Sequence, residues 1–211
     1  MRPWPGEPFP LGAYMVESTI GRGGVGVVYR ARRASDERVI ALKVIQEGSE
    51  NREMIERLHR EAAILGQLRH PNIIEVHDVG IAQTFEGKRV HYFTMDFIEG
   101  RTLGDVLATS GPSRRERLKM VLDISTAVGY AHEKGVLHRD LKPGNVLVDG
   151  QGRVVLTDFG LARMDDHPRL TRTVEVLGTP QYMAPEQVEG KTRGMDARTD
   201  VYGLGAILYE V

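Results

Sequence analysis

The densest group of reactive side chains is the run His138-Arg139-Asp140-Leu141-Lys142-Pro143-Gly144-Asn145. It offers a carboxylate that can accept or orient a hydroxyl proton, an ammonium two positions on, and an amide oxygen suited to a hard divalent cation. Phosphoryl transfer asks a protein for positioning and charge stabilisation rather than covalent chemistry, and these groups supply both. Read without chemistry, the run is a polar turn. Asp158-Phe159-Gly160 follows the apolar run Val154-Val155-Leu156, so Asp158 ends a strand, where a carboxylate can hold Mg2+ through oxygen. The tripeptide alone says little; its place after Asp140 gives it weight.

Upstream, Gly21-Arg22-Gly23-Gly24-Val25-Gly26-Val27-Val28 fits G-x-G-x-x-G-x-V. A dinucleotide-binding turn would continue into a helix. A Walker-type loop would place Gly-Lys-Ser/Thr after its last glycine, where Val27 stands. The β-branched run from Val25 predicts a hairpin instead, whose side-chain-free tip lets backbone N–H groups approach an anion. Lys43 lies in the next strand, between Leu42 and Val44. Met54, Leu58, Glu61, Leu65 and Leu68 share one face of a helix predicted over 51–68. Glu61 is a carboxylate on an apolar stripe and therefore needs a cation; Lys43 is the natural one, and the pair would aim an ammonium at an anionic ligand.

The elements that must position these groups divide the chain in two. Strands are predicted over 13–21, 25–32 and 38–45 as an antiparallel meander, with two more near 73–80 and 89–96. His70-Pro71-Asn72 stops the helix between them. After Gly100 the pattern turns helical. Ser113-x-x-Glu116 is a capping box ahead of Leu118, Val121, Leu122, Ser125 and Val128, a helix ending near Gly135. Strands near 145–149 and 153–157 flank Asp149-Gly150. Asp158 to Glu186 reads as a long irregular stretch, of a length that in compact domains is functional or disordered, and the stretch from Ala197 as a buried helix. These readings give a proline-rich leader over 1–10, a first lobe over 11–98 and a second over 99–211.

Composition excludes several classes. With 28 basic and 29 acidic residues the chain has no charge bias toward nucleic acid or an anionic membrane. It has no cysteine, so disulfides and thiolate metal sites are absent and a reducing compartment is allowed. Four prolines among the first ten residues rule out a helical signal segment there. No stretch is long and apolar enough to span a bilayer, although an anchor beyond Val211 is compatible with the sequence. The seven histidines show no metal-ligand spacing and read as surface residues apart from His138.

In order, these motifs resemble the signature set of eukaryotic-like (Hanks-type) Ser/Thr protein kinases from about residue 11 to the chain end. The resemblance implies an α+β, bilobal fold: a small antiparallel β-sheet N-lobe with helix αC (51–68) and a mainly helical, C-terminally incomplete C-lobe ending within the helix called αF. It implies ATP and Mg2+ as cofactors and Ser/Thr-bearing proteins as substrates. Gly21, Gly23 and Gly26 would cover the ATP phosphates, and Ile20, Arg22, Gly24, Val25 and Val27 of the same stretch would also belong to the ATP site. Val28, Ala41 and Leu147 would enclose the adenine beside the gatekeeper Met95. The backbone of Asp96 and Ile98 would bond the adenine edge, and Lys43, paired with Glu61, would contact the α- and β-phosphates. Asp140 would be the catalytic aspartate, assisted by Lys142, with Asn145 and Asp158 holding Mg2+.

Lys142, Gly178-Thr179-Pro180 and Ala184-Pro185-Glu186 resemble Ser/Thr rather than tyrosine kinases, and Gln187 with Thr171-Arg172-Thr173 resembles the bacterial group. By the same resemblance Arg139, Arg163 and Arg57 would gather a phosphate on Thr171 or Thr173, placed there by autophosphorylation between self-associating copies. Glu175 would partly mimic that charge. Asp200 matches the αF aspartate that braces the catalytic loop in this family. Family members continue past αF and supply an arginine to the residue matching Glu186; without it, a buried Glu186 would be left unpaired. The alternatives at this level are a nucleotide-binding scaffold and an inactive fragment. The expected site of action is cytoplasmic.

Overall fold

The computed structural model describes residues 8–23, 26–45, 59–60, 62–84, 87–109, 111–159, 180–190 and 194–211. The chain separates into two compact units, Met1–Gln67 with Glu75–Ile98, and Leu68–Ile74 with Glu99–Val211.

The first unit is built on a six-stranded antiparallel sheet: β1 (Phe9–Leu11), β2 (Tyr14–Gly23), β3 (Gly26–Arg33), β4 (Val39–Ile45), β5 (Val76–Gln83) and β6 (Arg89–Asp96), in the order β1-β2-β3-β4-β6-β5. β1 uses the end of the proline-rich segment, so Phe9 and Pro10 are part of the sheet rather than of a leader. Proline is tolerated there because β1 is an edge strand. Alternation packs Val16, Val27, Tyr29, Ala31, Leu42 and Val44 into one cluster on a single face.

Residues 59–60 and 62–65 are helical, with Ala62 and Leu65 buried. Met54, Leu58 and Glu61 of the predicted stripe lie outside the described residues. The helix turns off at Gly66, whose N–H still bonds Ala62 O, well before His70-Pro71-Asn72.

Residues 68–74 belong to the second unit rather than to the first lobe expected over 11–98. Hydrogen bonds explain this. Asn72 O accepts from Leu156 N at 2.8 Å and Ile74 N donates to Leu156 O at 2.9 Å. Asn72 Nδ2 adds a bond to Val154 O at 2.7 Å. The strand predicted near 73–80 accordingly begins only at Val76.

Among the described residues the second unit holds a three-stranded sheet, β7 (Gly100–Thr102), β8 (Val146–Asp149) and β9 (Val154–Leu156), and four α-helices: α1 (Leu103–Leu107), α2 (Arg114–Glu133), α3 (Pro185–Val188) and α4 (Ala197–Glu210). α2 starts with the expected capping box: Glu116 N donates to Ser113 Oγ, and Ser113 N to Glu116 Oε2. Its buried stripe is Met120, Val121, Ile124, Ala127, Val128 and Ala131. The predicted stripe was rotated from this one, since Leu118 and Leu122 are exposed. α4 also departs from expectation. It buries Thr199, Asp200, Gly203 and Ile207, while Val201, Tyr202, Leu208 and Tyr209 are exposed. Gly203 allows the close approach: a Cβ there would stand 2.9 Å from Leu141 Cβ and 3.1 Å from Leu141 O. No helix among the described residues is long and apolar enough to cross a membrane.

Candidate active site

In the second unit the sequence-predicted cluster converges. Lys142 Nζ donates to Asp140 Oδ2 at 2.8 Å. Asn145 Nδ2 donates to the same oxygen at 2.8 Å and to Asp140 O at 2.7 Å. With its nitrogen committed twice to Asp140, the amide of Asn145 has its oxygen at the opposite end, where it accepts no hydrogen bond among the described residues. Such an oxygen fits a Mg2+ ligand. Lys142 and Asp140 keep 22% and 18% of their side chains accessible, so a substrate can reach them.

Asp158 stands just after β9, at φ +55°. The preceding residue fixes its height: Thr157 N donates to Asn145 O at 2.9 Å, and Thr157 Oγ1 to the same oxygen at 3.3 Å. Asn145 and Asp158 are thus set by β8–β9 pairing, in which Val146 faces Leu156. Two oxygen donors on adjacent strand ends fit a hard cation that takes its remaining ligands from water or phosphate.

His138 lies beneath the loop, 1% exposed, with its ring 4.5 Å from that of Phe159. Its Nε2 faces Thr157 O at 2.9 Å and its Nδ1 accepts from Asp140 N at 3.3 Å. A carbonyl accepts and a backbone N–H donates, so the ring is the neutral Nε2–H tautomer. Burial pushes its pKa below the ordinary value of 6.5 and keeps it neutral.

Asp200, 1% exposed, braces the loop from α4. Its Oδ2 accepts from His138 N at 2.8 Å and faces His132 Nε2 at 2.7 Å; its Oδ1 accepts from Arg139 N at 2.7 Å. His132 was read as a surface histidine. Its position four residues after Val128, on the buried side of α2, is the signal that could have found it. Arg139 holds φ +63°, and its Nε is buried without a hydrogen bond among the described residues. Arg57, Arg163, Thr171, Thr173 and Glu175 lie outside the described residues.

Glu186 corrects an expectation. It is half-buried rather than buried, and accepts from Thr199 Oγ1 at 2.6 Å. That bond holds its carboxyl below the usual range, so it is not an orphaned charge. Leu147, on β8, is half-buried.

In the first unit, register decides which candidates share a face. Val28 pairs with Lys43, Lys43 with Phe93, and Ala41 with Met95. Val28, Ala41, Lys43 and Met95 therefore line the face opposite Leu42 and Val44. Lys43 is 7% exposed, its Nζ 5.8 Å from the centroid of the Phe93 ring. Val27 does not join them. It packs into the opposite cluster, because the period of two reverses it relative to Val28.

The hairpin continues as strands: Gly21 faces Val28, Arg22 faces Val27 and Gly23 faces Gly26. Gly24, Val25 and Glu61 lie outside the described residues. A Cβ at Gly26 would stand 2.2 Å from Val44 O, whereas one at Gly23 would meet nothing within 4 Å. Ile20 is 47% exposed, beside a register shift in β2. Asp96 N donates to Glu75 O at 3.1 Å, and its carboxylate is held by Arg38 and His77, each at 2.9 Å. Ile98 is half-buried.

Comparison with known proteins gives the family and the fold. Residues 14–211 match the family described as protein kinase domain. The probable serine/threonine-protein kinase PknB of Bifidobacterium longum is 35% identical over 208 residues, covering 95% of this chain and 30% of the relative. The serine/threonine-protein kinase PknB of Mycobacterium leprae is 37% identical over 201 residues, covering 94% of this chain and 32% of the relative. This chain thus spans roughly a third of these relatives' length. Among solved structures, the Mycobacterium tuberculosis PknI kinase domain aligns with a TM-score of 0.72 at 30% identity, covering 95% of this chain and 73% of that one.

Proposed function

We propose that this chain, which belongs to the protein kinase domain family, transfers the γ-phosphoryl group of ATP to Ser and Thr hydroxyls of protein substrates. The observation that carries this is the convergence of Lys142 and Asn145 on one carboxylate oxygen of Asp140. Asp140 orients the substrate hydroxyl and takes its proton as the oxygen attacks the γ-phosphorus; the bond to the β-bridging oxygen breaks and ADP leaves. Lys142 offsets charge on the transferring phosphoryl group. Asn145 and Asp158 would hold Mg2+, which supplies charge neutralisation on the phosphates when bound.

Lys43, oriented by Glu61, contacts the α- and β-phosphates, and the backbone from Gly21 to Gly26 covers them. Val28, Ala41, Met95 and Leu147 enclose the adenine, whose edge bonds the Asp96 carbonyl and Ile98. Arg139, with Arg57 and Arg163, receives a phosphate on Thr171 or Thr173 delivered by a second copy; its buried Nε, without a hydrogen bond among the described residues, supports this reading. The reaction consumes ATP, which supports a cytoplasmic site of action.

The test is transfer of labelled phosphate from ATP to a generic basic protein. Asp140→Asn should lower the rate by about 10³-fold. Equal rates in the two proteins, or no transfer by the unsubstituted chain, would overturn the reading. Intact mass spectrometry of active protein should find phosphate on Thr171 or Thr173.

A further inference from the structure

The side chain of Gln187 makes two hydrogen bonds that leave its amide only one orientation. Nε2 donates to Arg139 O at 2.7 Å, and Oε1 accepts from Ala184 N at 3.0 Å. A carbonyl cannot donate and a backbone N–H cannot accept, so the two ends cannot be exchanged. The phosphotransfer chemistry above makes no use of Gln187.

The carbonyl it holds belongs to the peptide between Arg139 and Asp140. The N–H of that same peptide donates to His138 Nδ1 at 3.3 Å. Arg139 stands at φ +63°, a region that a side chain disfavours and that persists only where the surroundings impose it. Its own N–H is fixed by Asp200 Oδ1 at 2.7 Å. Three contacts therefore set this backbone, from α4, from the His138 ring and from Gln187. Released at its carbonyl, the peptide could rotate, and Asp140 would turn away from Lys142 and Asn145.

We propose that Gln187 is a positioning residue for Asp140: by clamping the Arg139 carbonyl it locks the peptide that aims the carboxylate, and it ties α3 to the phosphotransfer centre. This rests on the kinase reading of Asp140.

Two substitutions separate the halves of the clamp. Gln187→Glu keeps an acceptor for Ala184 N and loses the donor to Arg139 O. Gln187→Lys keeps a donor and loses the acceptor. In the whole chain, Gln187→Glu should speed amide exchange at Asp140 and lower kcat for a protein substrate, each by about 10-fold, with KM for ATP unchanged. Gln187→Lys should restore most of both. Should the Glu variant not fold, Gln187→Met, which lacks both polar atoms, must show the same losses.

Unchanged exchange at Asp140, or equal losses in the Glu and Lys variants with exchange raised throughout the chain, would overturn the proposal. Wild-type kcat in Gln187→Glu beside an inactive Asp140→Asn would sink the positioning role and spare the kinase reading. The expected exchange pattern in a chain with no transferase activity would overturn catalytic positioning together with the kinase reading, leaving only a structural clamp.

Discussion

The β2–β3 hairpin and the loop at 138–145 are both assigned to phosphate chemistry, yet different forces hold them. In the hairpin a regular ladder carries the geometry, from Tyr14 facing Arg33 to Gly23 facing Gly26, and side chains contribute mainly by packing on one face. The loop at 138–142 has no ladder. Its backbone is pinned by side chains from elsewhere: Asp200 on two N–H groups, His138 on a third and Gln187 on a carbonyl. Ladder bonds share the load among many residues, so a hairpin tolerates most single changes. A loop held by individual polar side chains concentrates its stability and its geometry in a few of them.

The strongest way to break this contrast is Asp200→Ala. It leaves two backbone N–H groups and the His132 ring without their acceptor, and unsatisfied buried donors cost about 1–3 kcal/mol each. Counting the two backbone N–H groups alone, urea unfolding should show a loss of about 2–6 kcal/mol, and a loss below about 0.5 kcal/mol would mean that the loop is held in another way.

Next in size is Gly26→Ala, a change in the hairpin that meets backbone rather than open space. Its Cβ would sit 2.2 Å from a backbone oxygen, and forced overpacking of this kind costs about 1–3 kcal/mol. Gly23→Ala meets open space and should leave stability within about 0.5 kcal/mol, while weakening ATP binding if the tip covers phosphates. Equal destabilisation by both alanines would show that ladder geometry alone does not decide.

The smallest effect is on the acid side. His138 is neutral when folded and its pKa is lowered, so the unfolded chain binds a proton that the native one refuses. Its contribution is complete above about pH 6.5 and is lost as pH falls below that value, by at most about 1.4 kcal/mol per pH unit. His138→Gln should flatten this limb in thermal melts between pH 7 and 5; an unchanged slope would place the titration elsewhere.

Much of the site was legible because its chemistry is local in sequence. Asp140, Lys142 and Asn145 lie within one turn of chain and converge on each other. The hairpin, the meander and the Ser113 capping box follow from short-range rules that tertiary packing did not contradict. Errors arose where one face had to be chosen over another. The apolar stripe of α2 was rotated because Leu118 and Met120 are equally hydrophobic, and only packing against α4 and β9 says which turns inward. Val27 shows the same dependence on alternation: it belongs to the glycine motif by sequence, while the period of β3 turns its side chain into the core.

The amino-acid sequence by itself determined which reactive groups exist, their order, and the strands and caps that carry them, because those depend on neighbours a few residues apart. The family resemblance pointed to Asp200 as a brace, and the tertiary structure supplied the bonds by which it holds the loop from 62 residues away; only the tertiary structure decided that Gln187 clamps the loop from 48. A hydrogen bond needs its donor and acceptor within about 3 Å in space, and no local periodicity encodes so long a separation along the chain.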